Sequence, residues 1–248
     1  MAVRFYFVDV FASHPLTGNP VSLVPDADEL TEPQLRAIAR EFNQSETAFL
    51  LQPTLPGATW RLRSFTPTGF EVGGAGHHVL GAWLWLASSG RLPADPGPGG
   101  LAQEIMGKVL PVQVTRTDGG PTVVSMNQSP PEFGASVTDR AELAAALGLG
   151  PDDLATGQAA QVVSTGVGHL LVPLRDRVTV DRAEPDGHRL IRTLQFVGGE
   201  GCYLYSRDPV DAARAVAYTR FVNPTAGIIE DPATGTAAGP LAALLVAQ

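Results

Sequence analysis

Two stretches of this chain repeat each other at a nearly fixed separation, and that repetition limits the possible folds more than any other feature. Phe70-Glu71-Val72-Gly73-Gly74-Ala75-Gly76-His77 matches Ile229-Glu230-Asp231-Pro232-Ala233-Thr234-Gly235-Thr236, with Glu71 and Gly76 each 159 residues before Glu230 and Gly235. Just upstream, Pro67 precedes Pro224 by 157. Each block enters an apolar run, Val79 to Leu84 in one case and Leu241 to Leu245 in the other. Earlier, Gly168-His169-Leu170 resembles Gly18-Asn19-Pro20, and Cys202 to Ser206 sits where Glu46 to Leu50 sat. Four blocks in one order point to a duplicated unit of about 120–150 residues, far longer than a solenoid repeat. The 248 residues therefore read as two similar domains, 1–128 and 129–248, joined near Ser129-Pro130-Pro131. A ligand cleft between two such domains is the expected site.

The local pattern is mixed α and β. Val3 to Val10, Val21 to Val24, Ser45 to Leu51 and Trp60 to Phe65 read as strands, the last by clear alternation. Thr31 as N-cap and Pro33 in the first turn open a helix that Asn43 and Gln44 end. His77 to Ala87 is apolar on nearly every side, which marks a buried helix. Further strands are expected near 109–116 and 121–127.

Composition removes several classes of function. With 44% hydrophobic and 17% charged residues the chain has enough apolar surface to fold. A single cysteine, Cys202, forms no internal disulfide, zinc cluster or thiol pair. Lys108 is the only lysine, the formal charge is −8, and no basic stripe exists, which argues against a nucleic-acid partner. No apolar run reaches the roughly 20 residues of a membrane span. The first residues lack a cleavable signal pattern, so a cytoplasmic protein is the economical reading.

Read together, Asp9-Val10-Phe11, Gly18-Asn19-Pro20, Asn43 to Phe49, Phe65-Thr66-Pro67, Ala75-Gly76-His77 and Glu230 to Pro240 resemble the PhzF-like family of phenazine-biosynthesis isomerases. The motifs are distributed along nearly the whole chain. The resemblance implies the diaminopimelate epimerase-like α+β fold, two pseudo-symmetric domains each with a curved sheet or barrel around a central apolar helix, and a homodimer. It implies an isomerase that moves a double bond by carbon-to-carbon proton transfer, without a cofactor or metal, in a small carboxylate-bearing substrate of secondary metabolism.

Glu46 matches the family's proton-transfer residue, a role that requires its pKa to be lifted by burial; without the motif it would read as a solvated strand-end carboxylate. His77 and Asp231 match the family's other polar catalytic residues, with local readings as a backbone-bonded helix-start histidine and an Asp-Pro turn or cap. Gly76, Gly235 and Thr236 are implied to bind substrate. Two helix starts carry unpaired N–H groups and partial positive charge suited to a carboxylate. Thr236 stands where the family has Ser, which predicts a tighter pocket. Asn19 is implied to touch substrate, while the Gly-Asn-Pro turn also accounts for it by local geometry.

Adjacent helical residues diverge by about 100°, so His78 reads as a packing residue and not as a metal partner of His77. His14, His169 and His188 show no ligand spacing. The two-cysteine positions of the epimerases fall on Ala75 and Thr234, which excludes two-thiol racemisation. Val72-Gly73-Gly74 replaces a family Pro and a bulkier apolar residue, predicting a looser, less filled pocket floor. Relatives commonly run about 30 residues past the last motif, so the second central helix is expected to be covered by another arrangement or by a dimer partner. A hydrolase or cyclase using the same residues, and a non-catalytic binding protein, are the competing readings.

Overall fold

The computed structural model describes residues 2–73, 76–116 and 119–248. The chain divides into two compact units, Met1–Gln128 and Ser129–Gln248.

Unit 1 contains β1 (Tyr6–Val10), β2 (Asn19–Val24), α1 (Glu32–Phe42), β3 (Thr47–Leu51), β4 (Trp60–Phe65), β5 (Glu71–Val72), α2 (His77–Ser88), β6 (Ala102–Ile105), β7 (Lys108–Pro111), β8 (Gln113–Arg116) and β9 (Thr122–Ser125). Its main sheet runs β1-β2-β3-β4-β6-β7, with β5 paired to β4, and it is curved and open. β8 and β9 pair separately.

The strand β3 shows why its sequence is apolar throughout. Ala48 and Leu50 pack with Val79, Ala82, Trp83 and Leu86 of α2, while Phe49 and Leu51 pack with Leu35 and Ala39 of α1. Successive side chains leave opposite faces of a strand, so a sheet covered on both sides needs apolar residues at every position. The indole N–H of the buried Trp83 donates to Gln103 of β6 at 2.8 Å, which anchors α2 by a satisfied polar group. At the start of α1 the Gln34 side chain accepts the Thr31 backbone N–H at 2.8 Å, and Asn43 ends the helix in the left-handed region at φ 52°.

Unit 2 contains β10 (Glu132–Ser136), α3 (Arg140–Ala146), β11 (Gln161–Ser164), β12 (Gly168–Pro173), α4 (Arg177–Arg182), α5 (Gly187–Val197), β13 (Gly201–Ser206), β14 (Tyr218–Asn223), β15 (Ile228–Asp231) and α6 (Gly235–Ala247). Its sheet runs β10 to β15 in chain order and is likewise open, so neither main sheet closes into a barrel. Leu170, Val172, Cys202 and Leu204 face the layer of α3, α4 and α5, and Leu171, Tyr203 and Tyr205 face Ala237, Leu241 and Leu244 of α6.

The two units share one plan. β2 and β3 are parallel, with α1 between them in sequence; β12 and β13 are parallel, with α4 and α5 between them. In each, an antiparallel strand, a short strand and the central helix follow. The duplication extends to an ion pair. Arg63 donates to both oxygens of Glu71 at 2.7 and 2.6 Å, and Arg220 to both oxygens of Glu230 at 2.9 and 2.8 Å. Arg63 and Arg220 are 157 residues apart, Glu71 and Glu230 159, the same two separations that relate the motifs.

The strand registers move one element of the sequence alignment. Ser22 pairs with Thr47, and its counterpart Val172 pairs with Leu204, so the residue equivalent to Glu46 is Tyr203. Cys202 is one residue out and faces the opposite layer, as a one-residue slip in a strand must produce. The short strands β5 and β6 carry no sequence signal of their own. Both are held by neighbours in the sheet, β5 through two residue pairs with β4. Among the described residues no helix is long and apolar enough to cross a membrane.

Candidate active site

In unit 1 the polar residues gather at the start of α2. Glu46 immediately precedes β3 and lies on its α2-facing side, with a carboxylate oxygen 3.4 Å from His77 Nδ1. The His77 and Glu46 side chains are only 5% and 16% exposed. His77 Nε2 has no hydrogen-bond partner among the described residues. A half-buried carboxylate beside a buried imidazole is an arrangement suited to proton movement, because each group can stabilise the other's change of charge.

Gly76 takes the N-cap of α2 with ordinary extended dihedrals, so its backbone conformation does not demand glycine. Its neighbour does. A Cβ at position 76 would lie 2.6 Å from His78 Cε1 and 2.7 Å from His78 Nδ1. The His78 ring therefore folds back over the helix start, fully buried, with neither nitrogen hydrogen-bonded among the described residues. Burial, assisted by the adjacent His77, pulls its pKa down to about 3, so it is neutral at pH 7. This folding back brings ligand atoms of Glu46, His77 and His78 within 4.8 Å of one another, closer than helical divergence alone suggests. Zinc bonds near 2.0–2.1 Å put tetrahedral ligand atoms about 3.3 Å apart, so this set would need shifts of about an ångström to hold such an ion.

Asn19, at the start of β2, is 1% exposed. The Asp9 carboxylate accepts the N–H groups of Thr17 and Gly18 at 3.0 and 3.2 Å and so fixes the turn that precedes it. Gly73 abuts Met106: a Cβ at 73 would lie 2.5 Å from Met106 Cγ, so that side chain occupies the space a larger residue would take. Gly74 and Ala75 lie outside the described residues.

In unit 2 the corresponding residues gather at the start of α6. Asp231 ends β15, is 7% exposed, and accepts a hydrogen bond from the Thr234 hydroxyl. It pairs in register with Phe221, which in turn pairs with Tyr203. The Tyr203 phenol is pushed up chiefly by burial and also by the Asp231 charge, and it donates to Thr219 at 2.9 Å. Thr234 takes the N-cap of α6, Gly235 opens the helix, and the Thr236 hydroxyl meets His169 Nε2 at 3.3 Å. His169, which sequence reasoning set aside, is thus a member of this cluster. The available signal was its alignment with Asn19.

Helix caps separate these two helices from their neighbours. Asp139, Asp176 and Asp186 each accept an N–H of the first turn of α3, α4 and α5. Neither Gly76 nor Thr234 caps its helix by a side-chain bond, and neither α2 nor α6 has an acidic residue in its first turn. Each start instead has a carboxylate brought in from the preceding sheet, Glu46 beside His77 at α2 and Asp231 bonded to Thr234 at α6. Cys202 is buried on the other face of its sheet, and burial pushes its thiol up to about 12, so it is neither placed nor ionised for base chemistry.

A profile of the phenazine biosynthesis-like protein family, PhzC-PhzF, matches residues 8–248. An uncharacterized isomerase, YddE, from Escherichia coli O157:H7 is 34% identical over 248 residues, covering 99% of this chain and 80% of the relative. The trans-2,3-dihydro-3-hydroxyanthranilate isomerase of Pseudomonas aeruginosa is 33% identical over 244 residues, covering 96% and 78%. The crystal structure of a PhzF-family phenazine biosynthesis protein from Bacillus anthracis superposes with a TM-score of 0.87 at 30% identity, covering 98% and 80%. The chain belongs to the phenazine biosynthesis-like PhzC-PhzF family and is an isomerase.

Proposed function

We propose that the chain moves a carbon–carbon double bond in a small, carboxylate-bearing, unsaturated or cyclic amino-acid-like compound, in a secondary-metabolite route, with Glu46 carrying the proton. The observation that carries this reading is the Glu46–His77 contact, largely withdrawn from solvent, at the start of a helix without a side-chain cap. Glu46 removes a proton from carbon, the electron pair shifts along the conjugated system, and the same carboxyl group returns the proton to a different carbon. Such a route needs no cofactor, since base and acid are one residue in two protonation states. His77 holds the carboxyl group in place. Gly76 at the start of α2 and Gly235 and Thr236 at the start of α6 bind substrate, and Asp231, held by Thr234, takes a substrate hydroxyl or amine. Asn19 shapes the turn beside the unit 1 cluster and contacts substrate.

The named relative from Pseudomonas aeruginosa supplies a first substrate to try, trans-2,3-dihydro-3-hydroxyanthranilate. Incubation with it in heavy-oxygen water should give an isomer that contains no solvent oxygen. Incorporation of solvent oxygen would replace this reading by hydrolysis. A folded protein that binds the compound but leaves it unchanged would replace it by a binding role.

A further inference from the structure

The Thr236 hydroxyl has one hydrogen-bond partner among the described residues, His169 Nε2. His169 is the second residue of β12, 3% exposed, with its ring edge-on to Phe221 at 4.9 Å between centroids. Gly201 makes room for both rings. A Cβ there would lie 2.4 Å from Phe221 Cζ and 3.2 Å from His169 Nδ1. His169 Nδ1 has no hydrogen-bond partner among the described residues.

Burial pulls His169 down to about 4, so at pH 7 the ring is neutral and carries one N–H. Two tautomers are available. A proton on Nδ1 would leave a donor stranded against Phe221. A proton on Nε2 meets the Thr236 oxygen and leaves only a bare acceptor at Nδ1. Stranded donors are the rarer of the two in folded proteins, so the Nε2–H form is favoured. Once Nε2–H donates to Thr236 Oγ1, the hydroxyl's own proton must point away from the imidazole.

We infer that His169 is a positioning residue that makes Thr236 a hydrogen-bond donor toward an anionic substrate group at the start of α6. This rests on the substrate-binding reading above. The same place in the repeat holds a buried polar residue in both units, Asn19 in unit 1 and His169 in unit 2.

The test uses anthranilate, a flat carboxylate that cannot undergo the double-bond shift, with binding measured by calorimetry. His169→Phe keeps the ring shape and removes the N–H. It should weaken anthranilate binding about tenfold, and Thr236→Val should do the same. The double variant should bind within about twofold of either single variant, because both changes remove one interaction. His169→Gln places an amide nitrogen near the former Nε2 and should recover most of the affinity. With trans-2,3-dihydro-3-hydroxyanthranilate, KM should rise in His169→Phe while kcat stays within about threefold. If His169→Phe does not fold, the cycle runs through His169→Gln and Thr236→Val, whose combined loss should again not exceed that of Thr236→Val alone. Losses that multiply, an unaffected His169→Phe, a kcat loss at constant KM, or no anthranilate binding by the unaltered protein would each overturn the assignment. Because calorimetry needs no turnover, failure of the isomerase reading leaves this result interpretable.

Discussion

The starts of α2 and α6 occupy the same place in two copies of one architecture and carry different chemistry. At α2 a carboxylate and an imidazole face each other, Glu46 and His77. At α6 the residues in those places are Tyr203 and Thr236, with His169 turned onto the threonine and Asp231 nearby in the sheet. What stayed alike is the scaffold: the parallel strand pair, the bidentate Arg–Glu clamp and the uncapped central helix. Duplication thus preserved two helix starts without a side-chain cap, while the direct carboxylate–imidazole contact stands at the start of α2 and the carboxylate at α6 is bonded to a threonine hydroxyl instead. A single-base isomerisation asks for that asymmetry, whereas racemisation by two opposed bases asks for matched groups on both sides.

The largest effect that could break this contrast comes from exchanging the base. Glu46→Gln should lower kcat on trans-2,3-dihydro-3-hydroxyanthranilate by about a thousandfold or more with anthranilate affinity retained, since a positioned acid–base group contributes about 10²–10⁴-fold. Steady-state kinetics and calorimetry together check it. Next in size is a difference in stability between the clamps. Arg63 is held by Glu71 and Glu32, both carboxylates, whereas Arg220 also donates to the backbone carbonyls of Val180, Asp181 and Ala183. Arg220→Met should cost about 3 kcal/mol in denaturant unfolding because it strands those carbonyls, and Arg63→Met about 1–2 kcal/mol. Equal costs would mean that the clamps are energetically alike.

A third, smaller effect is pH dependence. His78 and His169 are pulled from 6.5 to about 3 and about 4 by burial. Between pH 6.5 and about 4 the unfolded chain binds protons that these folded histidines do not. Their contribution to stability is therefore complete above pH 6.5 and declines as pH falls, by up to about 1.4 kcal/mol per unit for each. His78→Phe should remove one share of that slope in unfolding curves taken at a series of pH values; an unchanged slope would place the titration elsewhere. Smallest is Cys202→Ala, which should leave turnover within about twofold of the unaltered protein and cost about 1 kcal/mol of stability from the small cavity.

The repeat motifs, the alternation of Trp60 to Phe65 and the apolar helix before Ser88 were legible in the sequence because each has a local physical signature. Less legible were features that depend on register and partners. The Arg63–Glu71 and Arg220–Glu230 pairs obey the motif separations, yet strand pairing is what shows that they touch. The match of Cys202 to Glu46 failed by one residue because apolar residues fill both faces of β13, and without alternation the sequence gives no register. His169 had only its repeat alignment with Asn19 as a signal, and its contact with Thr236 spans 67 residues of sequence. His78 read as packing, and it does pack; its ring folding over Gly76 is a close approach that sequence spacing alone does not convey.

The central claim is that Glu46 of unit 1 carries the proton. It is tested most directly by following deuterium entry into trans-2,3-dihydro-3-hydroxyanthranilate and its product by NMR in deuterated water, for Glu46→Gln beside Tyr203→Phe. The account predicts that the unaltered protein and Tyr203→Phe both form product, with deuterium at the receiving carbon to the extent that the proton on Glu46 exchanges with solvent before its return, and that Glu46→Gln forms neither product nor deuterated substrate. Product formation or deuterium entry at the normal rate in Glu46→Gln, or their loss only in Tyr203→Phe, would contradict it.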